Sequence, residues 1–403
     1  MLLLNTQPEH DTPLSDVDRA ALDPDAARAA AGFLAWRGNH QPTPLHELPA
    51  MARELGVGAI HLKDEASRFG LGSFKALGGS YAVIRLFLEE ASRRLGRSIG
   101  LGDLNGADVR DVARSTTFCA ATDGNHGRSV AYGAQLIGAT AVIFMHAGVS
   151  QARAAAIARL GAEIVRVDGA YDDSVVEAAR VAVEHGWIVV SDTSWQGYER
   201  VPRMVMQGYT VLVAEALDAM VEHPTHVFVQ AGVGGLAAAA AGHMALRFGP
   251  RRPTFVVVEP DRAACVFASM AAGRPCKIEP QQATVMAMLE CYEPSLIAWP
   301  ILARTADAFM TIGEDAAAAI MNRLARPIGD DAPIVAGESG GVGLAGLVDL
   351  AADPSSRAAI GLDDSSRVLV INTEGATDPA RFQELVGIRP ADVTATRPPD
   401  IHH

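Results

Sequence analysis

The feature that most constrains the fold is a regular alternation of short apolar segments with helical segments between residues 116 and 191. Strands are predicted at 118–121, 141–145, 163–167 and 187–191, and helices at 128–137, 151–160 and 173–185. Because strand and helix follow each other in turn, this segment should form a parallel sheet with right-handed crossovers. A second series follows, with strands at 227–230, 255–258 and 368–371 and helices at 207–221 and 236–246. The sequence therefore predicts an α/β protein with two domains, each with a mainly parallel twisted sheet flanked by helices.

The length of 403 residues allows one large domain or two ordinary ones. Residues 1–40 are polar with short Ala-rich helical stretches such as 24–33, and we expect them to form an arm on the body of the protein or on a partner subunit. A strand at 59–65 and a helix at 75–95 follow, and 101–114 is expected to be an irregular connection. We expect a large domain made of 1–105 and 215–403, with a small α/β domain, 106–214, inserted between them.

Composition and charge exclude several classes of function. The net charge is −13 and no basic run occurs, so a nucleic-acid partner is not expected. The longest apolar runs are too short to span a bilayer, and the apolar start at Met1–Asn5 lacks the basic region of a signal peptide. Four cysteines show no metal-ligand spacing, which favours reduced thiols in a cytoplasmic protein without a metal.

Lys75 is the first candidate for chemistry. It ends the sequence Gly-Ser-Phe-Lys at 72–75, directly before a predicted helix. Burial among small and apolar residues lowers the pKa of a lysine because it penalises the charged form, and an uncharged amine can attack a carbonyl. Such a lysine can hold a carbonyl cofactor as a Schiff base and then move protons. The alternative is a surface lysine at the start of a helix, so the assignment depends on the rest of the chain.

Polar and Gly-rich loops follow several predicted strands, at the edge where parallel sheets bind ligands. Two of them read Thr-Asp-Gly-Asn-His-Gly at 122–127 and Asp-Thr-Ser-Trp at 192–195. A third reads Ala-Gly-Val-Gly-Gly at 231–235, between a strand and a helix. Backbone N–H groups and the positive end of a helix dipole make such a loop a phosphate cradle, although a tight turn without a ligand has the same pattern.

Three blocks occur in a fixed order: Gly72-Ser73-Phe74-Lys75, Asp123-Gly124-Asn125-His126-Gly127 and Gly232-Val233-Gly234-Gly235. Together they resemble the fold type II family of pyridoxal-phosphate enzymes, to which tryptophan synthase β, threonine dehydratase and cysteine synthase belong. Within this family, the blocks at 67–71, 121–128, 192–195 and 206–209 are similar to the diaminopropionate ammonia-lyases. The likeness covers about residues 40–380. Ser194 and Gln196 depart from the alanine and glutamate expected in those lyases.

The resemblance implies a set of residues that contact pyridoxal 5'-phosphate. Lys75 would form the Schiff base and later serve as a general base. Asn125 would hydrogen-bond the phenolic oxygen, and the 232–235 loop would hold the phosphate. Thr373 would face the pyridine nitrogen with a neutral hydroxyl, which does not keep that nitrogen protonated. The full cofactor set is Lys75, Phe74, Asn125, Gly232, Val233, Gly234, Gly235, Leu236 and Thr373.

The resemblance also implies a substrate set, Thr122, Asp123 and Asp192. Asp123 stands where other dehydratases of the family usually have a serine, and it is placed to act as a second base. Asp192 would pair with a cationic side-chain amine. The alternatives are a helix N-cap for Asp123 and a turn aspartate for Asp192.

Other polar residues keep a plainer interpretation beside the functional one. Thr373 has the alternative of an ordinary strand-end threonine, and Glu338 either lines the site or lies on a solvated loop. His126 is expected to be structural, and Cys119 and Cys265 to pack as small hydrophobic residues.

The expected activity is that of a carbon–nitrogen lyase. It would remove ammonia from 2,3-diaminopropionate, D or L or both, and the aminoacrylate released would hydrolyse to pyruvate and a second ammonia. The competing hypotheses are a β-hydroxy amino acid dehydratase or racemase, a β-replacement synthase, and a pyridoxal-phosphate binder without catalysis. The family resemblance also implies a homodimer.

Overall fold

The computed structural model describes residues 1–36, 38, 40–122, 124–169 and 171–393, without the side chains of Tyr171 and Asp172. Over these residues the strands are β1 Leu2–Leu4, β2 Leu45–Glu47, β3 Ala59–Asp64, β4 Thr117–Ala121, β5 Thr140–His146, β6 Glu163–Val167, β7 Ile188–Val189, β8 His226–Gln230, β9 Thr254–Pro260, β10 Ala308–Ile312 and β11 Arg367–Asn372.

Helices connect nearly all of these strands. In chain order they are α1 Asp16–Leu22, α2 Pro24–Ala35, α3 Pro49–Leu55, α4 Lys75–Leu95, α5 Ala107–Arg114, α6 Asn125–Ile137, α7 Gln151–Ala158, α8 Tyr171–His185, α9 Arg200–Ala219, α10 Gly235–Phe248, α11 Cys265–Ala272, α12 Ala298–Thr305, α13 Glu314–Ala325, α14 Val342–Ala351, α15 Pro354–Ile360, α16 Pro379–Val386 and α17 Pro390–Val393. None of the described helices combines the length and the apolar character needed to cross a membrane.

The strands form two sheets. One has the order β1-β10-β9-β8-β11-β3-β2 and is parallel except for its two edge strands, β1 and β2, which pair antiparallel. The other has the order β6-β5-β4-β7 and is parallel throughout. The predicted α/β class with two mainly parallel sheets is confirmed.

By packing, the described chain divides into two compact units. Unit 1 contains Met1–Asp16, Pro42–Ser67 and the described part of Leu212–His403, and unit 2 contains the described parts of Val17–Gln41 and Arg68–Val211. The predicted domain boundaries stay a prediction, but this grouping differs from them for α4, which joins unit 2. The reason is close packing of α4 on α6, where a Cβ on Gly133 would lie 2.9 Å from the Cα of Ser80.

Each unit has its own apolar core. In unit 1, Val256 and Val258 of β9 pack with Leu344 and Leu347 of α14. In unit 2, the core includes residues of β4, β5 and α8, and Cys119 is buried there as predicted.

One sequence-based expectation was wrong and one was incomplete. Residues 101–114 are not irregular, because α5 occupies the second half and buries Val109, Val112 and Ala113 on one face. This i, i+3, i+4 spacing was present in the sequence. The N-terminal arm does contain an Ala-rich helix, α2, but it begins with the strand β1, which pairs with β10.

Candidate active site

In unit 2, Lys75 is the first residue of α4 and follows Phe74. The helix is fixed here by close packing on α9, since a Cβ added to Gly208 would lie 2.8 Å from the Cα of Gly78. The ring of Phe74 packs on Tyr209 of α9, with centroids 4.8 Å apart, and the Lys75 ammonium lies 5.5 Å from the Phe74 ring centre. These contacts hold the lysine at the start of a rigid helix.

Asp192 forms an ion pair and hydrogen bond with the Nζ of Lys75. Burial alone would raise the pKa of the Asp192 carboxyl, but the charges of His126, when protonated, and of Lys75 outweigh burial and hold it below its usual range. The carboxylate therefore stays ionised beside the Lys75 amine.

His126 lies on the other side of this carboxylate, and its burial favours the uncharged imidazole. Its Nε2 donates a hydrogen bond to the carbonyl of Val190 at 2.8 Å, which leaves Nδ1 facing Asp192 Oδ2 at 3.9 Å. Burial lowers the pKa of the imidazole. The charge of Asp192 raises this pKa and the charge of Lys75 lowers it, and the net shift is downward. His126 therefore supports the site without competing for the charge of Asp192.

The backbone before Asp192 is fixed by Tyr198. The Tyr198 hydroxyl donates to the carbonyl of Val189 at 2.9 Å and accepts from the N–H of Ser191 at 3.0 Å. Its ring stacks on Trp195 with centroids 4.2 Å apart. Sequence reasoning gave Tyr198 and Tyr209 no role, and only their nearness in sequence to the predicted motifs pointed to them.

The other predicted residues of unit 2 lie at the carboxyl end of β4. Thr122 is buried and its hydroxyl accepts from the N–H of Gly124 at 3.3 Å. Asn125 is buried at the first position of α6. Asp123, between them, lies outside the described residues, so its role as a second base stays a prediction.

In unit 1, the loop 232–235 joins β8 to α10. Gly234 has a φ of 93°, which favours glycine, and precedes Gly235, the first residue of α10. Among the described side chains none caps this helix start, so the N–H groups of its first turn are available to an anion. The carbonyl of Val233 accepts from the N–H of Ser295 at 2.9 Å, which fixes the loop.

Thr373 directly follows β11 and is buried. Its Oγ1 accepts a hydrogen bond from the Nε2 of Gln230 at 2.9 Å, and its N–H donates to the carbonyl of Gly340 at 3.1 Å. Gln230 ends β8, two residues before the glycine loop, so Thr373 and that loop share one edge of the sheet. Glu338 is buried in the neighbouring segment.

No group of three or more His, Cys, Asp or Glu side chains among the described residues is arranged to hold a metal ion. The sequence patterns identified Gln230 only as the last residue of a predicted strand. The signal that could have identified it is a single amide at the end of the otherwise apolar run Val-Phe-Val-Gln.

Comparisons with known proteins show the family to which the chain belongs. A model of the family described as "Pyridoxal-phosphate dependent enzyme" matches residues 37–374. The chain belongs to this family, and its fold is fold type II.

More particular relatives are diaminopropionate ammonia-lyases. The one from Escherichia coli strain K12 is 40% identical over 366 residues, which cover 89% of this chain and 91% of the relative. The crystal structure of the Escherichia coli lyase with an aminoacrylate-PLP azomethine reaction intermediate matches with a TM-score of 0.85 and 37% identity, covering 96% of both chains. Its complex with D-serine matches with a TM-score of 0.86 and 36% identity, again over 96% of both chains.

The described residues fit pyridoxal phosphate, the cofactor of the family. The start of α10 offers N–H groups for a phosphate, and Thr373 offers a neutral hydroxyl for a pyridine nitrogen. The side chain of Lys75 is 23% exposed and offers a primary amine for the carbonyl.

Proposed function

We propose that the protein eliminates ammonia from 2,3-diaminopropionate with pyridoxal phosphate as cofactor. The C–N bond at Cβ breaks, ammonia leaves, and water converts the resulting aminoacrylate to pyruvate and a second ammonia. The observation that carries this proposal is the ion pair of Asp192 with Lys75. A buried carboxylate that already neutralises one primary ammonium suits a substrate whose side chain is a primary ammonium.

The ion pair also explains how the Asp192 carboxylate becomes available to a substrate ammonium. A Lys75 engaged with the carbonyl of the cofactor would no longer be a free alkylammonium. Asp192, with the imidazole of His126 3.9 Å away, would then have charge to offer to a substrate cation. A dehydratase has no such charge to accommodate, because its leaving group is a hydroxyl.

Each remaining group has one task in the proposed reaction. Pyridoxal phosphate, when bound, withdraws electrons from Cα of the amino acid and so makes the α-proton removable. Lys75 then takes this proton as a general base. We assign the second base, for the isomer whose C–H bond points away from Lys75, to Asp123. Asn125 would hydrogen-bond the phenolic oxygen of pyridoxal phosphate, and the 232–235 loop would hold its phosphate.

A second candidate is elimination from a β-hydroxy amino acid. The complex of the similar Escherichia coli lyase with D-serine supports it, since that protein accommodates a hydroxyl at Cβ. The ionised state of Asp192 favours the diamine instead.

We further propose a cytoplasmic homodimer. None of the four cysteines, all of them described by the structure, forms a disulfide, which suits a reducing compartment. The dimer is proposed from the family resemblance. Light scattering on the purified protein tests it, and a monomer at working concentration would contradict it.

The function is tested by measuring pyruvate and ammonia release across a panel of amino acids. Diaminopropionate should give the highest kcat/KM, with two ammonia per pyruvate. A preference for serine or threonine would contradict the proposal.

Asp123→Asn should slow the reaction of the D-isomer far more than that of the L-isomer. An equal loss for both isomers would contradict the assignment of two bases.

A further inference from the structure

Gln230 makes an unusual number of contacts for one amide. Its side chain is 2% exposed and its Nε2 lies within hydrogen-bond distance of four oxygens. They are the carbonyls of Ser339 at 3.1 Å, Gly340 at 2.6 Å and Ile371 at 3.2 Å and the Oγ1 of Thr373 at 2.9 Å. The amide therefore joins the end of β8 to the 337–341 segment and to the end of β11.

The chemistry of these partners fixes which end of the amide faces them. Three are carbonyl oxygens, which only accept, so the NH2 end must point toward them. The Oε1 end faces the N–H of Gly343, at 3.3 Å. Turning the amide over would place its oxygen against carbonyl oxygens and its NH2 group against an N–H, so this orientation is the one that satisfies both ends.

This orientation makes Thr373 an acceptor toward Gln230. A hydroxyl has one proton and two lone pairs, and Gln230 uses one of the lone pairs. The proton has the carbonyl of Ser339 as a partner at 3.4 Å, longer than the usual 2.7–2.8 Å of an O–H···O bond. The hydroxyl proton of Thr373 is thus weakly engaged and can be given to a ligand acceptor.

We propose that Gln230 is a positioning residue that sets the Thr373 hydroxyl as a hydrogen-bond donor to the cofactor's pyridine nitrogen. The inference rests on the role given to Thr373 in the proposed function. A nitrogen that accepts from a hydroxyl keeps its lone pair and stays unprotonated. Gln230 therefore decides the protonation state of the ring without contacting the ring itself.

The test uses protein loaded with pyridoxal phosphate labelled with ¹⁵N at the pyridine nitrogen, since the ¹⁵N chemical shift separates a protonated from an unprotonated nitrogen. In the wild type we expect the unprotonated, hydrogen-bonded position, constant from pH 6 to 9. A wild-type resonance at the protonated position would overturn the proposal without any variant.

Two near-isosteric variants sharpen the measurement. Gln230→Met removes the donor to Thr373 and frees the hydroxyl to turn, so the resonance should become dependent on pH. Thr373→Val removes the hydroxyl and should move the resonance toward that of a nitrogen without a hydrogen-bond donor. Gln207→Met is the matched control, because Gln207 makes a single hydrogen bond, 3.3 Å long, to the carbonyl of Ala26.

The kinetic expectation follows from the loss of one neutral hydrogen bond. Gln230→Met should lower kcat roughly 2- to 10-fold with little change in KM, and Thr373→Ser should keep both the resonance and the rate. A Gln230→Met resonance identical to the wild type at every pH would overturn the proposal. The spectrum needs no substrate, so failure of the wild type to act on diaminopropionate would contradict the proposed function alone.

Discussion

Two lysine–carboxylate pairs in the molecule differ in what surrounds them. Lys63, in unit 1, donates to Glu215 Oε2 at 2.7 Å and to the carbonyl of Thr43 at 2.7 Å, and its side chain is 1% exposed. Lys75, in unit 2, starts a helix, pairs with Asp192 and is 23% exposed. Lys63 is held by a backbone carbonyl in addition to its carboxylate. The carboxylate that pairs with Lys75, that of Asp192, is also faced by the imidazole of His126.

The comparison shows that an ion pair by itself does not mark a catalytic lysine. Lys63 lies in β3, between β11 and the edge strand β2, and its side chain is buried, so its amine is not exposed to a carbonyl ligand in solvent. Lys75 lies at the start of α4, where its amine is accessible and its partner comes from a loop. The whole chain has only these two lysines and the exposed Lys277, so chemical labelling can separate them cleanly.

The largest expected effect is that of Lys75→Ala. Loss of the Schiff base and of the general base should lower turnover by at least about 10⁴-fold. Borohydride reduction of the loaded protein, followed by peptide mass spectrometry, should label Lys75 in the wild type and no lysine in the variant. Lys277→Ala is the control and should label as the wild type does. Label on Lys63 would contradict the conclusion that only Lys75 is accessible to the cofactor.

Lys63→Met tests the structural pair. Removing one partner of a buried ion pair takes away compensation of the other charge, so the free energy of unfolding should fall by up to about 3–5 kcal/mol. The double variant Lys63→Met with Glu215→Leu should recover most of this loss, because no charge is left buried. Urea unfolding followed by circular dichroism measures both. Equal stability of the single and double variants would show that the broken ion pair is not the source of the lost stability.

Asp192→Asn tests the catalytic pair. The variant keeps the size of the side chain and removes its charge, so kcat/KM for both isomers of diaminopropionate should fall on the order of 30- to 1000-fold, which corresponds to about 2–4 kcal/mol. The exposed Asp364 provides the control Asp364→Asn, with no expected change. A loss confined to one isomer would show that Asp192 acts as a base and not as the partner of the substrate ammonium.

The smallest expected effect concerns pH. The pKa of buried His126 is lowered, so between that value and the ordinary value near 6.5 the unfolded chain binds a proton that the folded chain does not. The contribution of His126 to the free energy of unfolding is fully present above about pH 6.5. It is lost as pH falls, by at most about 1.4 kcal/mol per pH unit. His126→Gln should reduce the slope of unfolding free energy between pH 7 and 5, and the exposed His223→Gln should not. An unchanged slope in His126→Gln would mean that the imidazole is charged beside Asp192.

The sequence by itself determined the α/β class, the position of most strands and the loops that carry the site. Strand and helix periods are local, so β4 to β6 and the helices around them follow from patterns within each segment. The Lys75 loop, the Asp192 loop and the glycine loop could all be assigned to strand ends, because parallel strands place their following loops at one edge of the sheet.

Only the tertiary structure decided which side chains meet. Asp192 lies 117 positions from Lys75, and Gln230 lies 143 positions from Thr373. A local pattern contains no information about partners so far away, since they are set by strand order and by the way helices pack on the sheet. The tautomer of His126 depends on the carbonyl of Val190, and the orientation of the Gln230 amide depends on three backbone carbonyls. The directions of these carbonyls are fixed only when the strands and loops around them are in place.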